Sequence, residues 1–172
     1  RFADLSPALT SYFEDAADRL AASSRSFEPV VAHNDYRLGN LLLDPAATES
    51  EGWDAARDGD VTTAVLDWES PVATTAAYEL AVTEAILVDW PELGDEDQAK
   101  CRERLYAGYE ATNALARDEG FAERRRAYRT LARVRLMRNL REEMAGRSER
   151  AVDARAEEHR SFLAEVGVRS SR

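Results

Sequence analysis

The sequence predicts an α+β domain that is mainly helical and carries one small β-ribbon. Apolar residues recur every three or four positions at the start of the chain and through most of its second half, which is typical of amphipathic helices. Between these regions, three short apolar runs, mostly of valine and leucine, predict strands. The chain has 172 residues, 44% hydrophobic and 33% charged, a composition that suits one soluble globular domain.

The first predicted helix covers residues 3–22. Ser6 and Pro7 fit an N-cap followed by a first-turn proline, which would start the regular helix at this point. A polar linker, 23–28, follows the helix. The apolar stripe of the helix consists of Leu5, Leu9, Tyr12, Phe13, Ala16 and Leu20.

Three strands are predicted next, at 29–32, 40–43 and 61–66. A polar loop, 33–39, joins the first strand to the second. Residues 44–60 are polar and acidic, and they predict a long excursion between paired strands, with Trp53 as a loop anchor or partner contact.

The remainder of the chain is helical in pattern, with breaks at 91–94 and Gly120. We interpret Trp68 and Trp90 as core residues and His159 as a solvated side chain on a charged helix. The predicted helices span 76–90, 95–117, 121–145 and 148–166.

Charge and composition exclude several classes of protein. A net charge of −10 argues against general nucleic-acid binding, and no apolar run approaches the ~20 residues of a membrane span. Cys101 is the single cysteine, so an internal disulfide and a cysteine-based zinc site are excluded, and a cytoplasmic location is expected. The arginines of 124–141 predict a solvated, charged helix face rather than a phosphate-binding or RNA-binding surface.

The residues that could bind a metal or take part in catalysis lie in the polar loop and just after the third strand. Asp67 and Asn40 offer the oxygen ligands that Mg²⁺ prefers when it also binds phosphate oxygens. Asp35 offers a carboxylate that can accept a proton from a substrate hydroxyl. This division of roles suits phosphoryl transfer, in which positioning and charge neutralisation do most of the catalysis.

The pattern His33-x-Asp35-x4-Asn40 resembles the catalytic loop of the aminoglycoside phosphotransferase and choline kinase families, distant relatives of protein kinases. The run 66–69, Leu-Asp-Trp-Glu, resembles their metal-binding motif, and 78–81, Tyr-Glu-Leu-Ala, follows at the matching distance. The resemblance covers roughly residues 27–90. It implies that residues 1–172 form a protein-kinase-like C-terminal lobe whose β-ribbon carries the catalytic loop.

The same resemblance implies an ATP-dependent phosphotransferase that acts on a hydroxyl of a small molecule and uses Mg²⁺. Asp35 would be the catalytic base, and Asn40 and Asp67 would bind the metal and, through it, the nucleotide. His33 would buttress the loop, and Arg37 would lie near the transferred phosphate.

Some features depart from the family pattern. Glu79 stands in place of the aspartate that braces the loop, and 74–76, Thr-Thr-Ala, replaces a Gly-Asp-Pro turn. No Gly-x-Gly occurs, and Lys100, the single lysine, follows the motifs. We therefore expect the N-terminal nucleotide lobe to be absent from this chain, which alone would bind ATP weakly and be inactive.

The expected partners are a small-molecule acceptor and either the missing lobe or another copy of the chain, with neither nucleic acid nor membrane among them. An alternative is a non-catalytic binding or scaffold module derived from such a lobe. A metal-dependent hydrolase using Asp35 and Asp67 is a weaker third reading, because no histidine cluster supports a metal-activated water. The identity of the acceptor is not predicted, since the helices that build its pocket carry no motif.

Overall fold

The computed structural model describes residues 1–23, 28–44, 62–89 and 93–169. These residues are mainly helical and include small antiparallel sheets, as predicted. Trp53, Trp90 and nearly all of the predicted 44–60 excursion lie outside the described residues. None of the described helices combines the length and the apolar character that a membrane crossing requires.

The strands form two separate antiparallel pairs rather than one ribbon. β1 pairs with β4, with Val31 opposite Ala73, and β2 pairs with β3, with Leu42 opposite Ala64. β4 was not predicted, because three residues are too few to show the alternation that identifies a strand. The strands are β1, Val30–Ala32; β2, Leu41–Leu43; β3, Thr62–Val65; and β4, Val72–Thr74.

The helices differ from the predicted ones mainly at their ends. The predicted helix 76–90 changes to π-helical geometry over Glu84–Val88, and the predicted helix 121–145 is interrupted at Asn139. The α-helices are α1, Ser6–Ser23; α2, Ala76–Thr83; α3, Asp95–Glu110; α4, Phe121–Arg138; α5, Leu140–Glu143; and α6, Glu149–Glu165.

Two helix starts have side-chain caps. The Thr75 hydroxyl accepts a hydrogen bond from the backbone N–H of Tyr78 at 3.3 Å and begins α2. The Ser148 hydroxyl accepts one from the N–H of Ala151 at 3.3 Å and begins α6. Each cap satisfies a backbone donor that the first turn of a helix leaves unpaired. The cap at Thr75 starts α2 directly after β4.

Helix α4 is the centre of the fold and packs against α1, α2 and α6. One apolar cluster joins Leu5, Met137, Leu163 and Val168, and a second joins Val82 and Ala85 of the α2 region to Ala132 of α4. Because α4 contacts so many elements, a side chain on it can fix the position of a distant loop.

Arginines of α4 join an ion cluster in which Arg133 is buried and Arg125 and Arg129 are half-buried, so the prediction of a solvated face is wrong for them. Arg102 of α3 donates to Glu84 at 2.5 Å, and Arg125 donates from Nε to Glu84 at 2.9 Å. Arg129 donates to Asp89 at 2.8 Å. The members of this buried ion cluster are Glu84, Asp89, Arg102, Tyr106, Arg125, Arg129 and Arg133.

His159 is fully buried, with 0% of its surface exposed, and the prediction of a solvated side chain is wrong. Its ring meets Phe2 edge-on, and neither ring nitrogen has a hydrogen-bond partner among the described residues. Burial, together with the nearby charges of Arg155 and Arg133, lowers the pKa of His159 to about 3. The folded protein therefore keeps this imidazole neutral.

Replacing His159 by leucine is expected to flatten the pH dependence of stability between about pH 5 and 6.5. The unfolded chain protonates His159 below its ordinary pKa of 6.5, whereas the folded chain does not. Above pH 6.5 this group does not reduce the free energy of unfolding of the wild-type protein. As the pH falls below 6.5, that free energy decreases by about 1.4 kcal/mol per pH unit. Urea unfolding of both proteins across this range measures the difference, and parallel curves would contradict it.

Candidate active site

The polar loop 33–40 leaves β1, and the turn containing Asp67 leaves β3. His33 Nε2 lies 2.7 Å from the carbonyl oxygen of Leu66, and the Leu66 N–H donates to the carbonyl oxygen of Asn40 at 2.8 Å. The β1–β4 and β2–β3 pairings thus bring the two motifs side by side, although 27 positions separate Asn40 from Asp67 along the chain.

Both predicted carboxylates line one cavity of about 780 Å³. Asp35 and Asp67 face it together with His33, Arg37 and side chains from α4 and α5. A smaller cavity of about 260 Å³ shares Asp35 and Arg37 with it. The larger volume is within the range of about 300–1,000 Å³ that is typical of pockets for small organic ligands.

The carboxylate of Asp35 is oriented by two neighbours. Its Oδ2 accepts a hydrogen bond from Asn40 Nδ2 at 3.1 Å and forms an ion pair with Arg37 Nε at 3.0 Å. Asn40 Nδ2 also donates to the Asp35 carbonyl at 2.9 Å. Among the described residues, Asp35 Oδ1 has no hydrogen bond. The carboxylate is therefore held through one oxygen and can accept a proton at the other.

Asn40 and Asp67 suit a magnesium ion bound together with phosphate. Asn40 is 6% exposed, and because its Nδ2 is engaged by Asp35, its Oδ1 is the amide atom available to a ligand. Asp67 is exposed and has a φ of 63°, a left-handed conformation that is uncommon outside glycine. The described residues hold no group of three or more His, Cys, Asp or Glu able to bind a metal. The amide and carboxylate oxygens of Asn40 and Asp67 fit Mg²⁺, which often takes only one or two protein ligands.

His33 is buried and supports both motifs. Its Nδ1 accepts the N–H of Asp35 at 3.3 Å, so the ring proton of the neutral form is on Nε2, which donates to Leu66. The Trp68 ring packs edge-on against the His33 ring at a centroid distance of 4.7 Å. Trp68 is 51% exposed, so its prediction as a core residue is wrong; it covers His33 at the surface.

The loop is held by Glu79, at the bracing position that the family resemblance implies, and by Tyr78 and Arg135, whose loop contacts the sequence does not indicate. The carboxylate of Glu79 accepts the N–H of Asn34 at 3.2 and 3.0 Å, one bond to each oxygen, so the longer side chain still braces the loop. Burial raises the pKa of Glu79, although the Asn34 N–H, His33 and Arg135 oppose this shift. Tyr78 and Arg135 also bind Asn34.

No feature of the sequence around Arg135 indicates its contact with the loop. It lies in an arginine-rich helix, 101 positions after Asn34, and the arginine run predicts a solvated helix face there. In the sequence, Tyr78 is only part of the third motif, whereas Glu79 stands at the position of the aspartate that braces the loop. Their contacts depend on how α2 and α4 pack against the loop, which the motif spacing does not specify.

The chain matches the model of the phosphotransferase enzyme family, APH, over residues 2–128. This segment contains both motifs and most of the chain, and the protein therefore belongs to this family. The comparisons with curated proteins and with solved structures found no match. Residues 129–138 of α4, together with α5 and α6, lie beyond the matched segment.

Proposed function

We propose that the complete protein is an ATP-dependent phosphotransferase that moves the γ-phosphate to a hydroxyl of a small molecule. The observation that carries this proposal is the placement of Asp35 and Asp67 on one cavity, with Asn40 bound to Asp35. Family membership favours phosphotransfer, and the geometry favours particular residues for it.

In this proposal, Asp35 Oδ1 accepts the proton of the acceptor hydroxyl as the hydroxyl oxygen attacks the γ-phosphorus, and the bond from that phosphorus to the bridging oxygen breaks so that ADP leaves. Asn40 Nδ2 and Arg37 hold the other oxygen, so the carboxylate is oriented before the acceptor arrives. Asp67 and Asn40 Oδ1 would hold Mg²⁺. When bound, Mg²⁺ and ATP supply the neutralising charge and the phosphoryl group. His33 keeps the Asp35 loop and the Asp67 turn in contact.

We propose that residues 1–172 act as the C-terminal lobe of a kinase-like fold in the cytoplasm, and that a second lobe completes the nucleotide site. Exposed apolar side chains near the two motifs support a covering partner, either that lobe or another copy. They include Leu38, Leu42, Leu66 and Trp68. Alone, this chain is expected to bind Mg-ATP weakly.

The charge of the cavity favours a cationic acceptor, such as an amino alcohol. Its lining carries more carboxylates than guanidinium groups. Arg37 is already paired with Asp35 and Glu143 with Arg155, and outside these pairs the lining still has three carboxylates and two guanidinium groups. An ammonium group on the acceptor would reduce the repulsion among these carboxylates. The lining carboxylates belong to Asp35, Asp67, Glu69, Glu142 and Glu143, and the guanidinium groups belong to Arg37, Arg135 and Arg138.

The test is phosphate transfer from radiolabelled ATP to a panel of amino alcohols and matched neutral alcohols. The panel is assayed with the full-length protein and with its Asp35→Asn variant. We expect transfer to one or more amino alcohols by the wild-type protein and its loss in the variant. Transfer restricted to neutral alcohols would overturn the acceptor class, and equal transfer by both proteins would overturn the role of Asp35.

A non-catalytic module remains the second candidate, favoured by the ion pair between Arg37 and Asp35, which gives the carboxylate a structural partner. It predicts no transfer to any alcohol. It also predicts that a partner protein binds equally well to the wild type and to Asp35→Asn.

A further inference from the structure

We infer that Arg135 is a positioning residue that acts through Asn34 to set the placement of the Asp35 loop relative to the Asp67 turn. The inference rests on the proposed function. Arg135 belongs to α4 and lies beyond the segment that matches the family, so the family assignment does not supply this role.

Asn34 has a partner for each of its polar groups. Its N–H donates to Glu79 at 3.0 Å, and its carbonyl oxygen accepts from Arg135 Nη2 at 3.1 Å. Its side-chain Oδ1 accepts from Tyr78 at 2.8 Å and from Arg135 Nη1 at 2.5 Å, while Nδ2 donates to the carbonyl of Ser70 at 3.3 Å. Asn34 therefore connects α2, α4 and both motifs.

The backbone of Asn34 needs such support. Its φ is 68°, a left-handed conformation that asparagine tolerates better than most residues but that is still less favoured than the usual regions. Asn34 directly precedes Asp35, so a change in its dihedral angles would swing the Asp35 carboxylate. The bonds from Glu79 and Arg135 to the backbone of Asn34 hold these angles in place.

The Ser70 contact extends the support to the metal-binding side of the site. Ser70 lies three positions after Asp67, in the segment between β3 and β4. The bond from Asn34 Nδ2 to Ser70 thus joins the residue before Asp35 to the segment that carries Asp67. Productive transfer requires the acceptor hydroxyl at Asp35 to be correctly placed relative to the phosphate whose metal Asp67 would hold, so this connection bears on turnover.

The guanidinium of Arg135 suits this task because its planar fork binds two oxygens at once. Nη1 and Nη2 reach the side-chain and main-chain oxygens of Asn34, and Nη1 also lies 3.2 Å from the Tyr78 hydroxyl. A lysine has a single ammonium group and cannot reproduce this two-point geometry. Arg135 contacts Asn34 and Tyr78, and it acts on Asp35 only through Asn34.

The first experiment needs no acceptor. Mn²⁺ is added to the isotope-labelled chain, and paramagnetic broadening of backbone amides is recorded by NMR for wild type, Arg135→Met and Arg135→Lys. In wild type we expect joint broadening of the Asp67 turn and the 35–40 loop. In both variants the turn should stay broadened while the loop loses part of its broadening.

Arg138→Met is the matched control, because Arg138 lies on the same helix and lines the same cavity but donates to its neighbour Asn139. It should broaden like wild type. Asn34→Gly covers the case in which Arg135→Met does not fold: glycine accepts the positive φ and removes only the side-chain bonds to Arg135, Tyr78 and Ser70. Its loss of broadening should be intermediate.

The second experiment measures steady-state transfer by the full-length protein with the acceptor found in the panel. Arg135→Met should lower kcat by about 10²-fold, the scale expected for a misplaced catalytic group, with the KM for Mg-ATP unchanged. Arg135→Lys should not restore kcat. Full activity in Arg135→Lys, or equal behaviour of Arg135→Met and Arg138→Met, would overturn the inference.

Asp67→Asn distinguishes a failure of the positioning role of Arg135 from a failure of the proposed function. If Asp67→Asn removes both the Mn²⁺ effect and transfer while the Arg135 variants behave like wild type, only the positioning role is wrong. If Asp67→Asn changes neither, the proposed function is wrong and the inference falls with it.

Discussion

Replacing Asp35 by asparagine is expected to lower turnover by about 10²–10⁴-fold while leaving Mg-ATP binding nearly intact. Asparagine has almost the same shape and can still interact with Asn40 and Arg37, but its amide does not accept the proton of the acceptor hydroxyl. The contacts that would hold the nucleotide come from other residues. The loss should therefore appear in kcat and not in the dissociation constant of Mg-ATP.

Replacing Asp67 by asparagine is expected to abolish transfer for a different reason. The change removes a charged metal ligand, so it should weaken the productive metal–nucleotide complex. Asn40→Ala should have the same kind of effect but a smaller one, with partial recovery at raised Mg²⁺. This variant loses one neutral ligand and also the hydrogen bonds to Asp35, so the recovery should be incomplete.

Steady-state kinetics and nucleotide binding on the full-length protein distinguish these effects. Glu69→Gln is the control, because Glu69 lines the same cavity but is neither the proposed base nor a proposed metal ligand. It should keep kcat close to wild type, and its effect should be confined to the KM for the cationic acceptor. Wild-type turnover in Asp35→Asn would show that Asp35 is not the base. An Asp67→Asn variant that binds Mg-ATP normally would remove Asp67 from the metal site.

Replacing Glu84 by glutamine is expected to lower the free energy of unfolding by about 3–5 kcal/mol, the range for removing one partner of a buried ion pair. Glu84 is 0% exposed and accepts from Arg102, Arg125 and Tyr106. Without its charge, Asp89 would be the one carboxylate left to balance the arginines of the buried ion cluster. Those guanidinium groups would then be buried with too little compensation.

The pKa shifts of Tyr106 and Asp89 support this expectation. Burial and the charge of Glu84 raise the pKa of Tyr106 to about 12, so its hydroxyl remains a donor to Glu84 at neutral pH. Burial would raise the pKa of Asp89, but Arg129, Arg133 and Arg102 outweigh burial and lower it. The charges of both carboxylates therefore interact strongly with the groups around them in the buried ion cluster.

Urea denaturation at pH 7 measures the effect, with Glu110→Gln as the control. Glu110 also binds an arginine through both oxygens, at 2.7 Å each to Arg117, but this pair is exposed to solvent. Its loss should cost less than about 1 kcal/mol. Similar costs for the two variants would show that the buried ion cluster contributes no more than a surface pair.

The sequence by itself determined the order and spacing of the site residues. Asp35 and Asn40 lie within one loop, and Asp67 follows a strand that pairs with the strand after Asn40. Local spacing and strand pairing were therefore sufficient to bring these residues together. The amphipathic stripe of α1 was also readable, because its apolar positions recur at a helical interval and several of them face the core.

Only the tertiary structure determined which charged side chains of the helices are buried and which groups they contact. The periodicity of α4 predicts a helix, but arginines at many of its positions leave open which of them are buried. Packing against Glu84 and Asp89 buries some, and packing against the loop turns Arg135 toward Asn34. His159 is buried for the same reason. Charged and polar side chains become interior only when partners or neighbours from distant segments surround them, and periodicity within one segment carries no information about those partners.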